Sequence, residues 1–562
     1  MRSASSIPRP ARLIALFLLL LFALQAFWAA CEDSVTIDEF VHLPLGLYML
    51  RSADFRHDPI NPPLARMLAA LPLLVDAPRF DPGADTPHWA MGTLFMQANA
   101  GDYQAFYVRA RCVTILLACV LGGLIFVWAS RLYGADAGLM ALFFFALSPD
   151  MLAHGHLVTL DVPGALGVTA SAFALWRLLE RPTWASASVL GAALGVATLF
   201  KLSGIIMVAV VPVAIVVSTL RESGRPARPS IRRWLGLMVA AALVFVCVLN
   251  LGYGFRGTLA SLDQATLRPN GLLATVRAAF PSLRVPAPLS FVNGVDLVMT
   301  TGVGVEPSYF LAGRLSSSGW WYYHLVAFAL KTPLPVLAAT LIALVLWIIG
   351  RAPGARSYCV FIPVLLIFAF NSVFNSQDIG VRHVLPALPL LFIAIAPLLT
   401  APLRAIVRGR RPATDVTRAV IVACTLAWFV AGTVRIAPRY LQYFNEIAGG
   451  PANGHRFLID SNVDWGQDLI RLKRYMDARG VPSVNLAYFG RVDPRVYGIA
   501  FVPLDERSAH GPTVASASFL MGRPYFWYVD GRLQWVKPGT FTWLQAHRPI
   551  DRVGSMFVYD LP

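Results

Sequence analysis

Two carboxylates stand side by side at Asp38 and Glu39, in the run TIDEFVHLPLGLYML. A helix through that run puts His42 on the Asp38 face, four residues on, and near Glu39. Paired carboxylates in a partly dry pocket repel, and the pKa of one rises. That is what a general base working near neutrality needs. The same residues also read as a plain helix start, with Thr36 as N-cap and acids in the first turn. The spacing leaves both readings open.

Other ionisable residues lie at the ends of apolar runs, where charge is costly. SPDMLAHGHLVTLDVPG carries Asp150, His154, His156 and Asp161. Asp161, two residues before Pro163, is either a helix N-cap or a second carboxylate facing Asp38 across a cavity. The HxH spacing with an Asp is one that metal sites use, but it is too little to assign a metal; a divalent ion stays open. Lys201, between GVATLF and LSGIIMV, either snorkels or holds a lipid phosphate. NSVFNSQDIGVRHVLP adds Asp378, Arg382 and His383, with Arg382 a second phosphate clamp or an interfacial anchor. In DFRHDPINPPLARMLAALPLL, His57 and Asp58 belong to a pocket or to a solvated loop. INPP cannot be helix interior. LARMLAALPLL then reads as a short amphipathic helix in the interface, with Arg66 on its polar side in a structural role. The string beginning at Asp460 starts like a calcium loop but has Trp465 and Arg471 where Gly and Glu are required. Asp460, Asn462, Asp464 and Gln467 with Trp465 form either a sugar-contacting group or a capped turn.

These residues must be positioned by apolar elements. Of 562 residues, 57% are hydrophobic and only 14% charged, with a mean hydropathy of +0.60. Soluble domains are about a quarter charged, so a polytopic membrane protein is indicated and a soluble enzyme or disordered chain is excluded. Five of the six cysteines lie in apolar runs and none form a CxxC pair, which supports neither a zinc knuckle nor a disulfide framework. Eleven apolar runs are candidate spans: 12–30, 112–130, 135–149, 162–179, 184–200, 203–220, 234–252, 324–349, 358–375, 384–403 and 419–434. The first is longer than a signal-peptide core, which favours an uncleaved helix. With the N-terminus in the cytoplasm, eighteen arginines fall in cytoplasmic segments, from Arg2, Arg9 and Arg12 to Arg404, Arg408, Arg410, Arg411 and Arg418. The short outer loops hold only Lys201 and Arg382. That asymmetry accounts for much of the net charge of +16 and leaves no basic stripe for nucleic acid. Segments 31–111, 253–323 and 435–562 then face outward. In the last, VNLAYFG, TVASASFL, YFWYV and GSMFVYDL read as strands, and 465–479 as a helix burying Leu469, Leu472 and Met476.

In this order the motifs resemble those of family 39 glycosyltransferases, the protein O-mannosyltransferase-like and aminoarabinose-transferase-like enzymes. The matching residues are Asp38–Glu39, HLPLGLY, NPPLARMLAALP, SPDMLAHGHLVTLDVP, GVATLFKLSG and GVRHVLPALPL. The tail from QYFNEIAGGPANG through DSNVDWGQDL to FVYDL looks like that of bacterial members. The resemblance implies a polytopic α-helical membrane protein of about eleven spans with the type C glycosyltransferase fold. It implies a membrane catalytic domain over 1–438 and a small extracytoplasmic α/β domain over 439–562, in a bacterial inner membrane. It also implies a polyprenyl-phosphate sugar donor and inverting transfer to an outer acceptor hydroxyl on a glycan, lipid or protein. Asp38 would be the base, Glu39 would orient Asp38 or the acceptor, and Asp161 would be the second acid. Lys201, Arg382 and His383 would meet the lipid phosphate. His42, His57, His154, His156, Asp460, Asp464 and Trp465 are candidates for substrate contact, and the tail for acceptor choice. A lipid or solute transporter is the rival reading; the sequence shows none of the internal repeats common in that class.

Overall fold

The structure is a computed structural model that describes residues 7–221, 230–269, 271–300, 308–354, 356–374, 377–407, 413–529 and 532–562. Arg2, Arg225, Arg228, Arg408, Arg410 and Arg411 lie outside the described residues.

Helix α1 spans Arg9–Glu32. Segment 31–111 folds as four short helices: α2 (Ile37–Ser52), α3 (Pro63–Ala70), α4 (Leu73–Asp76) and α5 (His88–Ala98). Helix α6 (Tyr103–Tyr133) returns through the bundle, and the chain turns at Gly134, whose φ of 96° suits a residue without Cβ. There follow α7 (Ala135–Ala146), α8 (Pro149–Gly155), α9 (Asp161–Glu180), α10 (Trp184–Phe200), α11 (Ile206–Arg221) and α12 (Ile231–Gly252). Helices α13 (Leu272–Ala279) and α14 (Leu289–Thr300) precede a hairpin of β1 (Tyr309–Leu311) and β2 (Arg314–Ser316). The remaining bundle helices are α15 (Tyr323–Lys331), α16 (Leu334–Ile348), α17 (Tyr358–Val373), α18 (Ala387–Val407) and α19 (Ala413–Ile436).

Each of the eleven apolar runs is mostly helical. Seven helices are long and apolar enough to cross a bilayer: α1, α6, α9, Leu202–Arg221 (containing α11), α12, α18 and α19. The pair α7–α8, bent by 63°, makes an eighth if taken as one broken span. Helices α10, α16 and α17 are shorter, at 17, 15 and 16 residues. The chain is a multi-pass membrane protein. One expectation is corrected: 324–349 is not one helix. Thr332 is extended and Pro333, which has no N–H, begins a new helix, so α15 and α16 are separate.

The bundle has two unlike ends. At one, Arg404 Nε donates to Asp136 at 2.8 Å, Arg233 Nη2 donates to the Pro182 carbonyl at 2.9 Å, and Arg221 lies over Trp347. The other end carries the C-terminal region. There α20 (Leu469–Arg479) packs on a five-stranded sheet of β3 (Val484–Ala487), β4 (Phe501–Pro503), β5 (Gly511–Ser516), β8 (Asp551–Val553) and β9 (Met556–Leu561). The sheet order is β4-β3-β5-β9-β8, with β3 parallel to β4 and β5, and β9 antiparallel to β5 and β8. Short helix α21 (Ala517–Leu520) follows β5, and β6 (Tyr525–Val529) pairs with β7 (Arg532–Val536) in a separate hairpin. Leu469, Leu472 and Met476 are buried as their spacing predicts. They share one apolar cluster with Leu486, Val514 and Val558 of the sheet and with Val35, Phe40, Leu43 and Phe95 of segment 31–111. The C-terminal region therefore shares its core with the loops it covers.

Candidate active site

Asp38 and Glu39 are adjacent but serve different partners. Glu39 is fully buried. Its carboxylate accepts from Thr36 N and Oγ1 (both 3.0 Å), Val158 N (2.9 Å), and Arg111 Nε (2.8 Å) and Nη2 (2.6 Å). Burial alone would push the Glu39 pKa up, but Arg111 and these donors outweigh it and hold it below the ordinary glutamate value. Arg111 also donates to the carbonyls of Ala30, Asp33 and Ser34. The repelling carboxylate pair expected from the sequence does not form, because each acid has its own guanidinium. Glu39 and Arg111 instead fix the start of α2 against α1 and α6, and so aim Asp38. Glu39 offers no free lone pair to an acceptor.

Asp38 remains reachable, its side chain 22% exposed. Its Oδ2 accepts from Arg382 Nη1 at 2.5 Å. The same Nη1 lies 3.9 Å from Asp161 Oδ2, and Asp161 Oδ1 accepts from Lys201 Nζ at 2.6 Å. Asp38, Arg382, Asp161 and Lys201 thus form one line of alternating charge. Four elements meet to make it: the first turn of α2, the turn after Gly380, the first turn of α9 and the C-cap of α10. Asp161 is the first residue of α9 rather than its cap, and its charge goes to Lys201. Gly164, one turn on, makes room: a Cβ there would sit 3.0 Å from the Lys201 Cβ.

The histidines separate into three kinds. His42 is buried beside this line with Nδ1 unpartnered, and burial followed by the Arg66 charge pushes its pKa down to about 4, so it is neutral at pH 7. His154 lies edge-on to Trp465, 6.1 Å between rings, also with Nδ1 unpartnered. His383 Nε2 is unpartnered as well, and its ring meets the edge of His324 at 5.6 Å; burial lowers its pKa, reinforced by the nearby Lys201 charge. These three can still bond a ligand. His156 cannot, since Nδ1 bonds the Leu152 carbonyl at 2.8 Å and Nε2 bonds Asp33 at 3.0 Å. His57 packs on Tyr48 and Asp54 just beyond the C-terminal end of α2, and its Nε2 makes no hydrogen bond. Substrate contact by His156 is therefore withdrawn. Arg66 is not on a polar face either: it is buried, and Nη1 donates to Asp58 Oδ2 at 2.9 Å.

The C-terminal region completes the site from behind. Trp465 is 1% exposed, too enclosed for a sugar platform. Its ring instead supports the Arg382 guanidinium, 4.5 Å from carbon to centroid. Asn462 Oδ1 accepts from Val381 N at 2.9 Å, fixing the turn that carries Arg382. Asp460 pairs with Arg523 at 2.6 Å. Lys331, inside an apolar run, is buried and donates to the carbonyls of Leu441 and Asn462, both at 2.7 Å. Around this line of charge, Arg111, Arg523 and Lys331 are charged residues that sequence reasoning missed. The sequence signal was present for two of them, as charges at or inside apolar runs.

Asp464 is fully buried and touches no opening, so sugar contact is withdrawn here too. It accepts from Ser518 N and Ser555 Oγ, and burial together with Asp468 pushes its pKa up to about 7. A folded pKa above the unfolded value means this group's contribution to stability is full below about pH 4 and is lost as pH rises through about 7. On the order of a few kcal/mol is at stake. Asp464→Asn is expected to flatten the fall in melting temperature between pH 5 and pH 8. A mutant that melts with the wild-type pH profile would show that Asp464 stays charged.

Among the described residues, no three His, Cys, Asp or Glu side chains gather as metal ligands would. Residues 104–251 match the family model described as dolichyl-phosphate-mannose-protein mannosyltransferase. That stretch holds Arg111, His154, Asp161 and Lys201. No curated protein matches the chain. Among solved structures, ArnT from Cupriavidus metallidurans bound to undecaprenyl phosphate is 15% identical over 97% of each chain, with a TM-score of 0.48. The oligosaccharyltransferase of Archaeoglobus fulgidus in the apo form is 11% identical over 93% of this chain and 74% of that chain, with a TM-score of 0.50. The family-model match and the Archaeoglobus fulgidus fold agree with the resemblance read in the sequence. The chain has the type C membrane glycosyltransferase fold, and its 104–251 segment is similar to the mannosyltransferase family.

Proposed function

We propose that the protein is a membrane glycosyltransferase, moving a sugar such as mannose from a polyprenyl-phosphate carrier to an acceptor hydroxyl with inversion. One observation carries this reading. Asp38 is a solvent-reachable carboxylate paired with Arg382, and Asp161 links that guanidinium to a second cation, Lys201, at one end of a membrane bundle. Inverting transfer needs that grouping. The acceptor O–H gives its proton to Asp38, the oxygen forms a bond to the anomeric carbon, and the bond to phosphate oxygen breaks. One negative charge disappears at Asp38 and one appears on the leaving phosphate, where Arg382 and Lys201 stabilise it. Before the donor arrives, Arg382 occupies Asp38; a phosphate that takes over the guanidinium frees the base. His383 and His154 have open nitrogens for the donor, and His42 for either substrate.

We take the basic end of the bundle as the cytoplasmic side of a bacterial inner membrane, because short cytoplasmic loops are rich in arginine. The site and residues 439–562, read as an extracytoplasmic α/β unit, then face outward. A polyprenyl tail lies between helices while its phosphate meets the cations at the interface. The test is to give proteoliposomes radiolabelled polyprenyl-phosphate mannose with membrane extract as acceptor. Label is expected to leave the lipid for an acceptor. Label that stays on the lipid with a series of polyprenyl-phosphate sugars, in folded protein, would overturn the reading.

A further inference from the structure

Among the described residues four arginines are buried: Arg66, Arg111, Arg491 and Arg523. Three face a carboxylate, namely Asp58, Glu39 and Asp460. Arg491 faces none. It is 7% exposed, and its Nε donates to the Tyr525 hydroxyl at 3.0 Å. Its guanidinium carbon lies 3.8 Å from the centre of the Trp89 ring, 4.6 Å from Phe526 and 5.4 Å from Tyr525. Aromatic faces offset only part of the cost of burying a cation. A buried charge with no counter-charge is left largely uncompensated. The site is built around a positive charge that no carboxylate among the described residues neutralises.

Its place in the fold points to what does. Trp89 lies in the first turn of α5 in segment 31–111, Arg491 follows β3, and Tyr525 and Phe526 come from β6. Trp89, Tyr525 and Phe526 are all half-buried and keep part of their rings open. The Tyr525 hydroxyl lies within electrostatic reach of Asp38 and Asp460. Tyr525 also packs on Phe489 at 4.8 Å, whose ring carries Arg523, the partner of Asp460, so the cluster adjoins the residues behind the base. A planar guanidinium fork suits a phosphate or carboxylate. Electron-rich ring faces suit the C–H face of a sugar. We infer that Trp89, Arg491, Tyr525 and Phe526 form the acceptor subsite, and that the acceptor is an anionic glycan, a sugar carrying phosphate or carboxylate. This rests on the transferase reading above. The anion lies on Arg491, the ring against the aromatic side chains, and the hydroxyl towards Asp38.

The test is direct binding to the purified full-length protein without donor, so that its result is independent of the transfer assay. Saturation-transfer NMR titrations would compare glucose, glucose 6-phosphate and glucuronate, with inorganic phosphate and triglutamate as competitors. Glucose 6-phosphate and glucuronate are expected to bind at least tenfold tighter than glucose, with the preference divided between them naming the anion. Arg491→Gln should bring both to the level of glucose, and Trp89→Ala should weaken all three sugars at least fivefold. Equal affinity for glucose in the wild type, or an unchanged preference in Arg491→Gln, would overturn the assignment. So would phosphate or triglutamate competing as well as glucose 6-phosphate, since that is a plain anion or peptide site. If Arg491→Gln does not fold, Trp89→Ala decides: sugars weakened with phosphate unchanged supports the subsite, and sugars unchanged overturns it. Absent mannose transfer with intact anionic-sugar binding would defeat the transferase reading alone.

Discussion

Asp38→Asn is expected to lower sugar transfer by about 10²–10⁴-fold, the range a positioned general base supplies, while the protein stays folded. Asn is nearly isosteric, and its Oδ1 can still accept from Arg382 Nη1. The side chain is partly exposed, so no buried charge is stranded inside a dry core. Arg382 keeps Asp161 and the Trp465 face. What is lost is the lone pair that takes the acceptor proton. The measurement is the initial rate of label leaving polyprenyl-phosphate mannose, set beside the melting temperature. A mutant that keeps more than a tenth of wild-type turnover, with the wild-type melting temperature, would remove Asp38 from the chemistry.

Glu39→Gln, one residue on, should do the reverse. Glu39 neutralises Arg111 where both side chains are fully buried. Breaking a buried pair by removing one charge costs about 3–5 kcal/mol, because the other charge stays behind. The new amide N–H₂ also faces Arg111 or Thr36, which are donors. A lower melting temperature and a poor yield of folded protein are expected, with turnover per folded molecule near normal. Normal melting with lost turnover would instead place Glu39 in direct contact with the acceptor. Two neighbouring acids thus separate chemistry from architecture in one pair of variants.

The helices were legible because apolar length is a property of composition. α1, α9 and α12 match their apolar runs to within about three residues for that reason, while α6 starts well before its run, at Tyr103. The break in 324–349 was also written in the chain, at Pro333 and in the charge of Lys331. The line from Asp38 through Arg382 and Asp161 to Lys201 was legible only as four separate costly residues. Their pairing spans 344 residues between Asp38 and Arg382, and no local spacing encodes it. His154 and His156 show the limit best. Two residues apart, they look equivalent in sequence. In the fold one is left open beside Trp465 and the other is tied to Asp33. Arg491 gave no signal at all, since its neighbours come from two distant segments, α5 and β6.

Segment 459–467 has a consequence for how this protein can be re-engineered. It supports Arg382 through Trp465 and Asn462, and it joins the start of α2 where Ile37 N donates to the Trp465 carbonyl at 3.0 Å. The C-terminal region is therefore no detachable cassette. Truncation before 455 would withdraw the backing of a donor-side guanidinium along with whatever the region does for acceptor choice. A chimera meant to exchange acceptor preference needs its crossover beyond Gln467, with Trp89 and its loop travelling alongside the foreign β6 hairpin.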